Sequence, residues 1–338
     1  MTKLRLALPS EGALYEPTNS FLRACGLGVE RASERRYTAA IPTLSDVEVL
    51  YQRSSDIPGE IEENSADIGV TGLDRFLEHR RERGDSVILF EDLGYAVARV
   101  VVAVPDGWLD VTSISDLADL ALDFREQGRD LRIATKYPRL VSRYFHKRGI
   151  NYFKLVHASG GLEAAPTMGY ADLIADITAS GATLRENRLR ALNDGIVCKS
   201  QASLIGNGRS LFDASLKLAL TKEILERVEA FIRARDFQKV SANIQGNSEK
   251  AVAALVTEKP DLSGIQGPTI SNVYSIDGKT WFGIQIVVRK EDLVRVVDHL
   301  RALGGSGITV NEATYVFRAE CESFGALGNT LKKYGDLA

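Results

Sequence analysis

The chain has 338 residues, 44% of them hydrophobic and 26% charged, with a formal net charge of −3. That length calls for two or three domains around sizeable cores. The charge excludes a chain-wide basic surface for a nucleic-acid backbone, though a local positive site for an anionic substrate remains open.

In chain order, residues 4–8 (LRLAL) read as a strand, 47–53 alternate with period two, and 66–72 form a buried strand ending in Gly72. Residues 86–94 and the β-branched run 98–105 are further strands. Ser113 and Asp116 form a capping box that opens a helix over 113–124. Residues 131–138 read as strand then turn, 139–149 as a helix stopped by Gly149, and 153–158 and 171–177 as strands. The alternation predicts α/β layers with parallel strands, arranged as two lobes around a cleft. The segment Pro105–Trp108 marks the crossing into the second lobe, and 195–206 returns to the first. The expected layout is lobe I over 1–103 and 190–236, including an amphipathic connector helix at 220–236, and lobe II over 104–189.

After that helix the rhythm changes. Strand 240–246, helix 248–259 capped by Ser248, strands 269–276 and 280–289 around an Asp277-Gly278 hairpin turn, helix 290–304 and strand 307–317 follow in turn. Leu293, Val296, Val297, Leu300 and Leu303 share one face of the second helix. The order βαββαβ is the ferredoxin-like plan, expected over 237–320 with a tail at 321–338. Cys25, Cys198 and Cys321 lie far apart without a CxxC pair, which argues for reduced thiols in a cytosol-like compartment. His79, His146, His157 and His299 lack metal-ligand spacing and read as surface or packing residues. No apolar run approaches the roughly 20 residues that span a bilayer.

The segment 176–184, DITASGATL, carries the most chemistry. An acidic residue, Asp176, closes a strand, and the small residues Thr178, Ala179, Ser180, Gly181, Ala182 and Thr183 lead into a helix over 183–189. Small side chains let a phosphate reach backbone N–H groups at a helix start, where the dipole adds attraction. Gly181 permits an unusual φ, and the hydroxyls add donors. A carboxylate beside such a cup suits a sugar phosphate, whose vicinal hydroxyls it would accept. A polar turn with an ordinary N-cap satisfies the same spacing.

With LEAAP (162–166), RIATKYP (132–138) and ADIGVTGLD (66–74), this segment resembles the ATP phosphoribosyltransferase family, the first enzymes of histidine biosynthesis. The motifs stand in the family's order up to about residue 320, and the tail is similar to the regulatory domain of the long form, in its plant-type branch. The resemblance implies a periplasmic-binding-protein-like catalytic core and a C-terminal ACT-like domain. It implies that N1 of ATP attacks the anomeric carbon of phosphoribosyl pyrophosphate with inversion, and that pyrophosphate leaves with Mg²⁺ held mainly by substrate phosphates rather than by a dedicated protein site. Such chemistry needs alignment and charge neutralisation more than covalent help.

Carried over residue by residue, the resemblance implies that Asp176 holds the ribose hydroxyls and that residues 178–183 cup the 5-phosphate. Glu163 would point towards the ribose or the metal, Lys136 and Arg53 towards phosphates, Tyr137 would stack on adenine, and Asp74 would contact the nucleotide. Gly12 and Leu14 would shape the adenine pocket. Packing, capping and surface roles are the plain alternatives for each. The sequence departs from the family in PSEGAL (9–14), where Glu11 stands at a position that often holds lysine. Free histidine is the implied feedback inhibitor, with Thr269, Ile270, Ser271, Gly304, Gly305 and Gly307 as contacts, and AMP a second candidate inhibitor. Dimers assembling into hexamers are implied, in the cytoplasm, or in a plastid after loss of a transit peptide. A two-lobed binding or regulatory protein without catalysis is the alternative reading.

Overall fold

The structure is a computed structural model and describes residues 3–33, 35–157, 161–276 and 278–335. The chain divides into two compact units, one running up to Glu223 and resuming at Ala326, the other spanning Ile224–Gly325.

The first sheet holds β1 (Leu4–Pro9), β2 (Thr38–Ile41), β3 (Leu44–Gln52), β4 (Ile68–Gly72) and β5 (Ser86–Phe90), connected in part by α1 (Tyr15–Ala24), α2 (Ile57–Glu62) and α3 (Leu73–His79). The second holds β6 (Ala98–Pro105), β7 (Leu131–Thr135), β8 (Phe153–His157), β9 (Leu173–Thr178) and β10 (Leu189–Ser200), with α4 (Ile114–Glu126), α5 (Pro138–Lys147) and α6 (Ala182–Glu186). The strand β11 (Ala202–Asn207) returns to the first sheet before α7 (Gly208–Asp213) and the long α8 (Ser215–Ala234). The sheet orders are β2-β3-β1-β4-β11-β5 and β10-β6-β9-β7-β8. β1 and β4 are apolar almost throughout because parallel central strands are covered on both faces. The capping box of α4 is present as expected, with Asp116 N–H donating to Ser113 Oγ.

One lobe border differs from expectation. β6 and β10 pair with each other inside the second sheet, so residues 98–103 and 190–200 lie in lobe II. The predicted returning strand 195–206 is two strands of two sheets, broken at Gln201. The physical crossing is the segment 91–97, where Gly94 and Ala96 take φ values of 76° and 55°, not Pro105, which ends β6. A β-branched run marks strand residues but carries no information about which sheet receives them.

The second unit, described by itself, contains β12 (Phe237–Gln245), α9 (Glu249–Thr257), β13 (Thr269–Val273), β14 (Trp281–Arg289), α10 (Leu293–Ala302) and β15 (Ser306–Glu312). Its strands run antiparallel in the order β13-β14-β12-β15, the ferredoxin-like arrangement. Val240, Ile244, Ile284 and Ile286 face Val252, Val256, Val296 and Leu300 of the helices. The expected hairpin turn includes Asp277, which lies outside the described residues. The C-terminal helix α11 (Glu322–Gly335) leads back into the first unit, to which its buried Leu327, Leu331 and Tyr334 belong.

Candidate active site

Between the two lobes of the first unit lies a cavity of about 420 Å³, lined by Leu14, Asp74, Arg75, Val97, Tyr137 and Thr178 among others. The groups in and beside it are delivered at or near the C-terminal ends of parallel strands, the usual place for ligands in open α/β sheets. β4 runs into α3, which carries Asp74 and Arg75; β7 leads to Lys136 and Tyr137; β9 carries Asp176. Thr135 Oγ1 ties the last two together by donating to the Ala175 carbonyl at 2.7 Å and accepting the Tyr137 N–H at 2.9 Å.

Asp74 is only 3% exposed. Its Oδ2 accepts Tyr137 Oη at 2.7 Å from the other lobe, and its Oδ1 accepts Ser200 Oγ at 2.5 Å. A Cβ at Gly72 would sit 2.4 Å from that Oδ1, so glycine is what lets the carboxylate lie flat against the backbone. Each oxygen thus accepts one protein hydroxyl, and Asp74 also lines the cleft where its nucleotide contact was expected. Tyr137 is enclosed likewise. Its side chain is fully buried among the lobe II core, and the guanidinium of Arg75 covers its ring with Cζ 4.7 Å from the centroid. With Arg75 in this position neither ring face is exposed. Burial, reinforced by the Asp74 charge, pushes the phenol far up from its ordinary pKa.

Asp176 is 9% exposed and accepts the N–H of Ile177 at 2.8 Å. Burial raises its pKa, Glu163 raises it further, and Lys136 and Arg75 act against that rise. These four side chains, from both lobes, thus share one electrostatic neighbourhood. Glu163 sits in the short 3-10 turn Leu162–Ala164, entered through Gly161 at φ 59°.

The loop after β9 turns at Gly181, whose φ of 73° is the left-handed conformation expected of it. Two of its amides are used internally: Gly181 N–H donates to Thr178 Oγ1 at 2.9 Å and Ala182 N–H to Ser180 Oγ at 3.3 Å. Among the described residues no acceptor takes the N–H of Ser180 or Thr183. Ala179, Ser180, Ala182 and Thr183 are exposed, so an anion reaches them unhindered. The helix that follows is a single turn, shorter than expected, because the strand β10 starts at Leu189.

Arg53 does not join this group. It lines a separate cavity of about 360 Å³ with Arg31, Arg35, Tyr51, Asp56 and Glu11. Its Nε lies 3.7 Å from Glu11 Oε1, both side chains being about three-quarters exposed. Gly12, at φ 79°, turns the chain towards α1, and Leu14 reaches the cleft. Arg75 and Ser200 were missed from the sequence. An arginine in a helix's first turn carries no pattern that separates it from a surface residue, and Ser200 matters only because two sheets meet there.

Among the described residues no group of three or more Asp, Glu, His or Cys could hold a metal ion. The oxygen donors Asp176 and Glu163 suit a hard cation carried on phosphates, for which one or two carboxylates suffice. In the second unit, Thr269, Ile270 and Ser271 lie on β13 and Gly304, Gly305 and Gly307 lead into β15, the opposite edges of the sheet. Three strand spacings, about 14 Å, separate them, so one amino acid does not touch both sets within one chain. Ile270 packs against the core, whereas Thr269 opens into a cavity of about 880 Å³ with Lys239, Arg233 and Gln285.

Residues 53–230 match the family model of ATP phosphoribosyltransferase, and residues 234–314 that of the HisG C-terminal domain. ATP phosphoribosyltransferase 1, chloroplastic, of Arabidopsis thaliana is 38% identical over 331 residues, 96% of this chain and 80% of that protein. The chain belongs to the ATP phosphoribosyltransferase family. The ATP phosphoribosyltransferase of Rhodopseudomonas palustris is 33% identical across 98% of this chain and 99% of its own. Among solved structures, the ATP phosphoribosyl transferase (HisG:HisZ) complex from Thermotoga maritima aligns with a TM-score of 0.51 and 27% identity, over 67% of this chain and 98% of that one. Family membership fits both halves: a two-lobed core with acid and base groups in its cleft, and a ferredoxin-like domain after it. No helix among the described residues is long and apolar enough to cross a membrane.

Proposed function

We propose that this chain is an ATP phosphoribosyltransferase acting in the first step of histidine biosynthesis. The observation that carries the reading is Asp176, a buried carboxylate at the C-terminal end of β9, next to an exposed small-residue loop turned by Gly181. Asp176 accepts the ribose hydroxyls of phosphoribosyl pyrophosphate while residues 178–183 take its 5-phosphate. The lone pair of ATP N1 forms the new bond to C1 as the C1–O bond breaks. The electron pair of that bond departs on pyrophosphate. Lys136 faces the developing negative charge, and Arg53, beside Arg31 and Arg35, supplies positive charge for nucleotide phosphates. Gly12 and Leu14 border the base.

Mg²⁺ bound with the substrate phosphates would offset leaving-group charge, and Asp176 and Glu163 are oxygen donors that would help hold it. The second unit is the regulatory part: free histidine binds its open sheet face near Thr269 and Ser271, and AMP competes in the cleft. Its ferredoxin-like plan and the match to the family's C-terminal domain support that reading. The enzyme works as dimers and hexamers in a cytosol-like compartment, and two similar proteins are named chloroplastic.

The test mixes protein, Mg²⁺, ATP and phosphoribosyl pyrophosphate and follows the ultraviolet absorbance of the adduct. Product formation is expected, with inhibition by free histidine. An absence of adduct across pH and salt would remove the catalytic reading. Histidine titration calorimetry on the full chain and on a Thr269→Arg variant tests the regulatory half, and equal binding by both would move the site elsewhere.

A further inference from the structure

Arg75 has no role in the reading above, yet its setting is that of a cation held in readiness. Its side chain is about a quarter exposed and lines the cleft. The guanidinium stacks on the buried Tyr137 ring, with Cζ 4.7 Å from the centroid, and Nε lies 3.6 Å from Asp74 Oδ2. Among the described residues its Nη groups donate to nothing.

The structural arginines of the chain look different. Arg5 closes a fork on Asp67 at 3.2 and 2.9 Å, and Arg132 closes one on Asp172 at 3.3 and 3.0 Å. Both make the paired contacts that a guanidinium offers a carboxylate. Asp74 has no need of Arg75 as a donor, because hydroxyls of Tyr137 and Ser200 already fill it. The ring and the carboxylate hold the guanidinium of Arg75 in place on a residue that lines the cleft. Lys136, one residue before Tyr137 in the other lobe, faces the same carboxylate neighbourhood around Asp176.

We propose that Arg75 is a catalytic residue that binds the pyrophosphate group of the phosphoribosyl donor, with Asp74 and Tyr137 as its positioning residues. This rests on the transferase reading. As the C1–O bond breaks, its electron pair passes to the pyrophosphate oxygen, and a guanidinium fixed beforehand receives that charge without reorganising. A planar fork suits two phosphate oxygens better than an ammonium does. The arrangement also answers the departure at Glu11: the cation for the leaving group comes from α3 in place of the first loop.

The test compares the full-length protein with Arg75→Gln, Arg75→Met and Asp74→Asn, measuring turnover, KM for both substrates, inhibition by inorganic pyrophosphate and melting temperature. Arg75→Gln should lower kcat by about 100-fold or more and weaken pyrophosphate inhibition about tenfold, with the KM for ATP within threefold. Asp74→Asn should shift pyrophosphate inhibition in the same direction by a smaller factor. A purely structural arginine would move the melting temperature and leave pyrophosphate affinity alone, and that result overturns the proposal. A change confined to the KM for ATP would also overturn it. Arg75→Met keeps the stacked stem and serves if Arg75→Gln does not fold. If the unaltered protein makes no adduct, the transferase reading fails by itself, and pyrophosphate calorimetry still decides Arg75: equal affinity with and without the guanidinium rejects it.

Discussion

The carboxylate of Glu78 in lobe I caps the first turn of α5 in lobe II, with Oε1 accepting the Arg139 N–H and Oε2 the Leu140 N–H, each at 2.9 Å. Arg139 returns the contact, donating through Nη1 to the carbonyls of Glu78 and Arg80 at 2.9 and 2.8 Å. Glu78 is buried, so water does not replace it when it is lost. Pro138 at the first helical position has no N–H to satisfy, which leaves the next two amides for this one carboxylate. Glu78→Ala should cost about 2–3 kcal/mol of stability, since two charge-assisted bonds disappear and two amides are orphaned. Urea unfolding measures it; an unchanged midpoint would mean that the lobes do not depend on this cap.

Asp176 couples function to instability. Burial is the first cause of its raised pKa. A carboxyl whose folded pKa exceeds its unfolded value stabilises the fold below the unfolded pKa, and that contribution is lost as pH rises through the folded one. At neutral pH the ionised group therefore works against the fold. Asp176→Asn should raise the melting temperature of the ligand-free protein at pH 7 while reducing turnover by at least about 100-fold. Because activity needs the ionised form, the acid limb of kcat/KM should lie above the ordinary carboxylate range. Thermal melts and a pH–rate profile check both, and a lower melting temperature in Asp176→Asn would contradict the linkage.

The legible parts of the chain were those with local signals. Ser113 and Asp116 announce a capping box, the alternation over 240–317 announces βαββαβ, and the small residues after Asp176 announce a tight exposed turn. What was not legible depends on distant partners. Tyr137 reads as an aromatic beside a basic residue, and only packing reveals that its hydroxyl belongs to Asp74, 63 positions away. The same holds for Thr269 and Gly305: both carry turn and strand signals, but only the sheet order sends them to opposite edges. The lobe border was not legible because the β-branched run 98–105 marks a strand without marking which sheet receives it.

Asp67 should govern acid stability. Burial alone would raise its pKa, but hydrogen bonds from Arg5, Lys217 and Ser210 outweigh that and hold it at about 2, against 3.8 unperturbed. The folded pKa is depressed, so the stabilisation is complete above pH 3.8 and is lost as pH falls towards 2. The shift corresponds to about 2.5 kcal/mol. Lys217 sits on α8 and reaches Asp67 at 2.8 Å, so Lys217→Met should cost about 3 kcal/mol by leaving a buried carboxylate short of a partner. The loss of stability between pH 4 and pH 2 should become shallower in Asp67→Asn. Guanidinium unfolding at stepped pH values tests this, and parallel curves for the two proteins would assign the acid sensitivity to other carboxylates.

Glu11 and Arg53 form an exposed ion pair at 3.7 Å, in a cavity that also holds Arg31 and Arg35. Such a pair adds little to stability and is screened by salt. Its consequence lies in binding, because a carboxylate beside three arginines competes with any phosphate that enters. Glu11→Gln should leave the melting temperature within a degree or so and lower the KM of a phosphorylated substrate about twofold to fivefold at low ionic strength. The gain should shrink at physiological salt, where the Debye length is about 8 Å. Steady-state kinetics at two salt concentrations check it. A KM that rises on removing Glu11 would instead make the carboxylate a contact that the substrate needs.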